Sequence, residues 1–405
     1  MIATRRTLRQ QGAIGIGLVL ALILAISGCS TVESAGSSGG GSVSNAAAPE
    51  ASTDPSVVAA KKALDLGYKG DFEPPPTSGP AAVSGKTVWY LSCGQAYLAC
   101  VMQADAFKDA GAQLGWDVVI QDGKADPSVA AGIIRQGIAA QVDGIALTTF
   151  DCPGIKSALL EARTAGVPVV NFGSMDCNDP AFGGTDEPLF TATVKLRGSD
   201  NAAEYFREWA KARANYVIAT TNGTADALWI TEQSQALHQY QGKAFMEQMA
   251  TCTTCSVTEV PFTFAQVPNP ATQQWTTAIQ SNPKATVVAE GIDALMGLGL
   301  QTAVQQSGRA GLVVGGGEGL PPNFDLIRQG VQTFSVAIPY TWVYWGLADT
   351  LNRVFAGQDP ATFPNQGAGW QFVDKDHNLP AEGQSYEPPV DYQAAYKAIW
   401  SGSPS

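Results

Sequence analysis

The sequence predicts an α/β fold made of two similar, doubly wound parallel-sheet lobes. Three observations predict it. From Lys86 onward, short apolar strands alternate with amphipathic helices, the order of βαβ units, which build parallel sheets with right-handed crossovers. The strands are continuous apolar runs, as expected where helices cover both faces of a sheet. After about residue 200 the rhythm starts again.

Each element follows from its pattern. Thr87–Leu91 (TVWYL) is the first strand. Tyr97, Cys100, Val101, Ala104, Phe107, Gly111 and Leu114 then recur at i+3 or i+4, the stripe of a helix with one buried face. Asp117–Gln121 is a strand, Ser128–Ala140 a helix, Gly144–Phe150 a strand, Ile155–Ala165 a helix and Val167–Phe172 a strand. In the second half, helix Asp200–Ala214 leads to strand Tyr216–Thr220, and a long helical region, Leu228–Met249, leads to Val257–Phe262. Helices Ala271–Ser281, Ala294–Gln306 and Phe324–Gly330 lead to strands Thr286–Ala289, Leu312–Gly315 and Thr333–Ile338, and Val343–Phe355 is a final helix. No helix-turn-helix precedes the lobes, which argues against a DNA-binding regulator built on them.

The amino terminus sets the compartment. Arg5, Arg6 and Arg9 precede an apolar run from Ile14 to Ile26, the n-region and h-region of an export signal. The run is shorter than the ~20 residues a membrane span needs. Ile26-Ser27-Gly28-Cys29 resembles a bacterial lipobox, whose cysteine is lipidated. The export route, general or twin-arginine, stays open. Residues 30–56 are mostly Ser, Gly, Ala and Thr, with too little apolar surface to repay ordering. Such a tether reaches roughly 30 Å. The expected location is the extracytoplasmic face of the bacterial membrane, anchored through Cys29.

Charge and cysteines narrow the classes. Net charge is −12, and removing residues 1–28, with three arginines and no acid, makes it −15. That acidity argues against nucleic acid or anionic headgroups as partners. Six cysteines remain beside Cys29, an even number for an oxidising compartment. Cys93 and Cys100 bracket a strand-to-helix turn, and Cys152 and Cys177 follow strands expected to be neighbours. Cys252 and Cys255 form a CxxC. Redox CxxC pairs sit at a helix amino terminus, where the dipole lowers the thiol pKa. Here a helix ends before the pair and a strand follows. With only His238 and His377 in the chain, zinc lacks ligands. Three structural disulfides, 93–100, 152–177 and 252–255, are expected, with no metal and no cofactor.

The stretch Lys86–Gly173, with its "AGVPVV" segment, and the later VVAEGIDALMGLGLQTA and GLVVGGGEG resemble the sugar-binding class of bacterial type I periplasmic binding proteins, the ribose-binding relatives. The resemblance spans roughly residues 86–357. It implies two lobes joined by a three-segment hinge, a ligand in the cleft and delivery to an ABC importer permease. The crossings fall near Thr191–Thr193, near Val336–Pro339 and after Asp359. The expected organisation is signal peptide 1–28, lipidated cysteine and flexible linker 29–84, and amino-terminal lobe 85–192. The carboxy-terminal lobe 193–338 follows, then a return to the first lobe over 339–365 and a segment 366–405 returning to the second. A monomer is expected.

Ligands of open parallel sheets lie beyond the strand carboxyl ends. The loops there supply Gln95, Tyr97, Asp151, Asn171, Ser174, Asn222, Glu290, Glu318 and Tyr340, with Trp229 and Trp342 as further aromatic faces. Sugars need planar polar groups for hydroxyls and aromatic faces for C–H surfaces. Competing readings stand beside several of these. Asn222-Gly223 is a turn signal, Tyr97 fits the buried helix stripe, and Glu290 fits a helix cap. Trp342, among Tyr340, Tyr344 and Trp345, fits hinge packing equally. Phe172 reads as core. Ribose binders carry Asp-Arg after the fourth strand and Asn-Asp after the eighth. This chain has Gly173-Ser174 and Gly291-Ile292, which argues against ribose itself. Ligand presentation to a sensor kinase uses the same fold, and a hydrolase would need a nucleophile–base set that does not stand out, so the chain reads as a binding protein and not an enzyme.

One consequence concerns the anchor. Cys29→Ala is expected to release the protein from the membrane fraction with ligand binding intact, and a mutant that still sediments with membranes contradicts the lipobox.

Overall fold

The computed structural model describes residues 52–267 and 269–402. The signal segment, Cys29 and most of the Ser/Gly tail lie outside them. The described chain opens on a helix, α1 (Pro55–Lys69), where a flexible linker to residue 84 was expected. Asp54 caps it by accepting the Ser56 N–H at 2.8 Å, and Pro55 stands in its first turn, where no backbone donor is missed. The helix ends at Gly70, φ 90°, and buries Val57, Ala60 and Gly67.

The first lobe runs β1 (Thr87–Ser92), α2 (Leu98–Gln113), β2 (Asp117–Asp122), α3 (Pro127–Ala139), β3 (Gly144–Thr148), α4 (Cys152–Ala165), β4 (Val169–Phe172) and β5 (Ala192–Thr193). Its sheet is parallel throughout, in the order β2-β1-β3-β4-β5. The second lobe holds α5 (Ala202–Thr220), β6 (Asp226–Glu232), α6 (Ala236–Met249), β7 (Ser256–Phe262), α7 (Ala271–Ser281) and β8 (Val287–Glu290). It continues through α8 (Gln301–Gln306), β9 (Val313–Gly315), α9 (Pro321–Arg328) and β10 (Phe334–Ala337). The chain then returns to the first lobe as α10 (Tyr340–Phe355), adds β11 (Gln371–Asp374) antiparallel to β10, and ends in α11 (Tyr392–Trp400). The second sheet reads β11-β10-β9-β8-β6-β7.

Two expected elements are corrected. Tyr216–Thr220 is not a strand but the end of α5, and the strand lies later, at β6. Tyr216, Val217, Ile218 and Ala219 are all buried, and Tyr216 stacks on Phe334 at 3.8 Å between ring centres. A helix buried on several sides has the same apolar run as a strand. The expected helix from Leu228 begins only at Ala236, because Ala227–Glu232 is buried between β7 and β8.

The lobes are joined by more chain than the three expected crossings. Helix α1 packs on α5 and β11 of the second lobe, so residues 70–86 must cross to reach β1. Helix α11 lies on α10, not on the second lobe as expected for 366–405. Trp400 stacks on Trp345 at 5.4 Å and donates its indole N–H to Asp349 at 2.9 Å. Side by side at the hinge, the Asp71 N–H donates to Trp370 O at 2.8 Å and the Glu73 N–H to Gly367 O at 2.9 Å. The Gln366 N–H donates to Lys195 O at 2.9 Å, and Arg197 pairs with Asp71 at 2.7 Å. The approach needs glycine: a Cβ on Gly369 would lie 1.7 Å from Asp71 O.

The disulfides pair Cys93 with Cys100, Cys152 with Cys177 and Cys252 with Cys255, at Cα separations of 5.6, 5.0 and 5.3 Å. These are the expected pairs.

The hinge contact has a measurable cost. Gly369→Ala should lower the unfolding free energy by roughly 1–3 kcal/mol through overpacking and expose residues 70–86 to protease. Gly132→Ala in α3, with open space around the added carbon, should be neutral or stabilising by up to about 1 kcal/mol. Urea midpoints of the two variants check the contrast.

Candidate functional site

The carboxyl ends of both sheets face a shared cavity of about 120 Å³. The first lobe contributes Tyr97 and Gln103 at the start of α2, Thr148 at the end of β3 with Thr149 next to it, and Phe172 at the end of β4. The second contributes Trp209 of α5, then Gln235, His238 and Gln241 at the start of α6. Gly291 follows β8 and Glu318 follows β9, while Tyr340 opens α10 beside the hinge. Aromatic faces thus alternate with hydrogen-bonding groups around one small space, with both lobes represented.

A glycine run brings Glu318 to the wall. Gly315 and Gly316 have φ of 136° and 134°, values that side chains disfavour. A Cβ on Gly316 would meet Glu290 O at 2.6 Å, and one on Gly317 would meet Asp293 N at 2.2 Å. The loop after β9 therefore lies flat against the loop after β8. Beneath it sits Arg213, fully buried. Its guanidinium donates to Gly316 O, to Gln241 Oε1 at 2.9 Å and to Gly291 O at 3.5 Å, and stacks 3.5 Å from the Trp209 ring centre.

Three carboxyl groups surround this cation, Glu290 and Asp293 buried and Glu318 half-buried with one oxygen enclosed. Glu290 accepts the N–H groups of Ile292 and Gly317. Asp293 accepts Gly319 N–H at 2.6 Å, Ser335 Oγ–H at 2.8 Å and Gln332 Nε2–H at 2.8 Å. Glu318 accepts Tyr340 O–H at 2.9 Å, while its other oxygen, buried, has no partner among the described residues. Burial, and then the Asp293 charge, push the Glu290 carboxyl well above the usual range and Glu318 up to about 7. Burial also lowers Arg213 to about 10 against the pull of the acids. Enclosure between the lobes, and then Arg213, lower His238 to about 3, so its ring is neutral and offers one donor and one acceptor.

Of the residues expected at a ligand, Tyr97, Glu318 and Tyr340 stand on the cavity wall; the others do not. Gln95 is spent at the ends of β1 and β2, its N–H on Asp122 and its amide on Ser92 at 2.7 Å. Asn171 donates to Thr193 at 2.8 Å and accepts from Ser174 N–H, and Ser174 accepts Phe150 N–H at 2.9 Å. These bonds shape the loop after β4. Asp151 accepts Met175 N–H in its own lobe and Ala236 N–H in the other. Asn222, in a left-handed turn at φ 51°, precedes β6 at the amino end of its strand and binds Lys61 of α1. Trp229 lies inside β6, stacked on Phe245 at 4.3 Å. Trp342 is buried against Tyr392 at 5.5 Å, so it packs the hinge. Glu290 organises the two loops from beneath.

Sequence reasoning missed Trp209, Arg213, Gln235, His238 and Gln241 as a group. Trp209 and Arg213 are i and i+4 on α5, one helix face, a signal that was legible. Residues 235–241 were hidden because the expected helix began eight residues too early and put them in its middle.

A family model described as a periplasmic binding protein domain matches residues 101–359. No curated protein matches the sequence. Among solved structures, a galactofuranose binding protein shares 16% identity at a TM-score of 0.56, over 78% of this chain and 98% of its own. An ABC sugar transporter subunit from Rhodobacter sphaeroides shares 15% at 0.59, over 73% and 100%. An ABC transporter periplasmic solute binding protein from Actinobacillus succinogenes, with bound D-allose, shares 16% at 0.58, over 72% and 98%. At such identities the likeness is one of fold.

Glu318 makes stability depend on pH. Its folded value, about 7, lies above its ordinary 4.5. The folded chain therefore holds a proton that the unfolded chain releases. That contribution is complete below pH 4.5 and is lost as pH rises toward 7. Glu318→Gln keeps an acceptor for Tyr340 and removes the loss. Its stability relative to wild type should climb across this window, by roughly 3 kcal/mol at most. Urea unfolding of both proteins over a pH series reads the difference, and a gap independent of pH contradicts the buried acid.

Proposed function

We propose a function from one premise: this chain belongs to the periplasmic binding protein domain family. It captures a small carbohydrate or polyol between its lobes and hands it to the permease of an ABC importer, without converting it. The observation that carries the reading is the cavity itself, walled by aromatic faces and by Gln103, Gln241 and Glu318 from both lobes. Its volume of about 120 Å³ lies below the ~300–1,000 Å³ of sites for drug-sized ligands, so it suits a single sugar ring or open-chain polyol. Relatives of the same fold are described as galactofuranose binding, or hold D-allose or allitol, which supports the same class.

Recognition follows from the wall. Tyr97 and Phe172 present ring faces to C–H surfaces, while Gln103, Gln241 and neutral His238 exchange hydrogen bonds with hydroxyls. The unpartnered oxygen of Glu318 takes a ligand hydroxyl, which removes the cost of leaving it unmade. Ligand touching both lobes favours the closed state by differential contact. The protein acts as a monomer at the extracytoplasmic face, tethered through Cys29.

A thermal-shift screen over monosaccharides, polyols, nucleosides and amino acids tests this. A sugar or polyol at 100 times its Kd should add ~2.7 kcal/mol, come off chemically unchanged, and lose affinity in Gln241→Ala. A nucleoside or amino acid as the best stabiliser, or recovery of a cleaved product, overturns the reading.

A further inference from the structure

We infer that Asp151 is a positioning residue that latches the lobes, its carboxylate capping the amino terminus of α6 from across the cleft. Asp151 stands at the N-cap of α4 but makes no side-chain bond to that helix. Gln235, the N-cap of α6, makes none to its own helix either. The gap is filled in trans. One Asp151 oxygen accepts Met175 N–H at 2.9 Å in its own lobe, and the other accepts Ala236 N–H at 3.1 Å in the second lobe. A carboxylate at a helix amino terminus is favoured by both hydrogen bonding and the helix dipole. Glu232 supports the turn from within the second lobe, accepting the Gln235 N–H at 3.0 Å.

A second contact falls one turn further along the same helix face. Tyr240, i+4 from Ala236, donates its O–H to Asp179 of the first lobe. Both acids belong to one rim, because the Cys152–Cys177 disulfide ties the residue after Asp151 to the segment leading to Asp179. Asp176 braces that segment by accepting the Leu189 N–H at 2.8 Å. The rim grips the turn of α6 that carries His238 and Gln241 toward the cavity. Closure and placement of these two side chains are thus one event.

The latch uses protein atoms only, so its test needs no ligand and stands apart from the identity of the sugar. Small-angle scattering of the wild type, Asp151→Ala, Tyr240→Phe and the double variant reads lobe separation. Near-UV circular dichroism checks that each lobe stays packed. Both single variants should show a larger radius of gyration than wild type, the double variant the largest, and Asp151→Asn, which keeps one acceptor oxygen, a smaller increase than Asp151→Ala. Exchange of the Ala236 amide should quicken in the same order. If Asp151→Ala fails to fold, Tyr240→Phe decides alone. A wild-type radius in the packed variants, with Ala236 exchange unchanged, overturns the latch.

Discussion

The guanidinium of Arg213 must satisfy its donors where water does not reach, and the second lobe's side of the cleft is arranged around that need. The backbone after β8 and β9 turns carbonyls toward it, Gln241 reaches it from α6, and Trp209 covers its face. An unpaired buried charge costs several kcal/mol, so these loops are not free to move separately. The same cation offsets part of the charge of Glu290, Asp293 and Glu318. Three acids stand around one arginine, and burial, with the Asp293 charge second, raises the Glu290 carboxyl well above its usual range and Glu318 up to about 7. The raised carboxyl of Glu318 at the cavity wall accompanies the way the floor is held.

The hinge is constrained in a comparable way. Residues 70–74, 195–198 and 366–370 share hydrogen bonds, so no one segment can flex without disturbing the others. The amino-terminal helix adds to this by docking on the far lobe before the chain enters the near one. The packing of Trp342 and Trp345 against α11 stiffens the opposite side.

The site was only partly legible beforehand. Loops after apolar strands are easy to locate, and of the residues taken from them Tyr97, Glu318 and Tyr340 line the cavity. Which side chain in a loop faces the cavity is decided by competing hydrogen bonds. Gln95, Asn171 and Ser174 are consumed locally because a backbone N–H or a hydroxyl stands closer than the cleft does. Asn222 was misplaced with its strand: moving that strand from Tyr216 to Asp226 carries the turn from the cleft end to the opposite edge.

The sequence by itself determined the α/β class, the parallel sheets, two lobes and the disulfide partners, because period, apolar runs and neighbouring strands act over short spans of chain. Only the tertiary structure decided that α5 continues to Thr220, that α1 and α11 dock on the lobes they do, and that Arg213 underlies the cavity. Those outcomes depend on which distant surface buries an apolar face or answers a buried charge. Local pattern cannot encode that, since the same run of Tyr-Val-Ile-Ala serves a strand or a helix until its neighbours are in place.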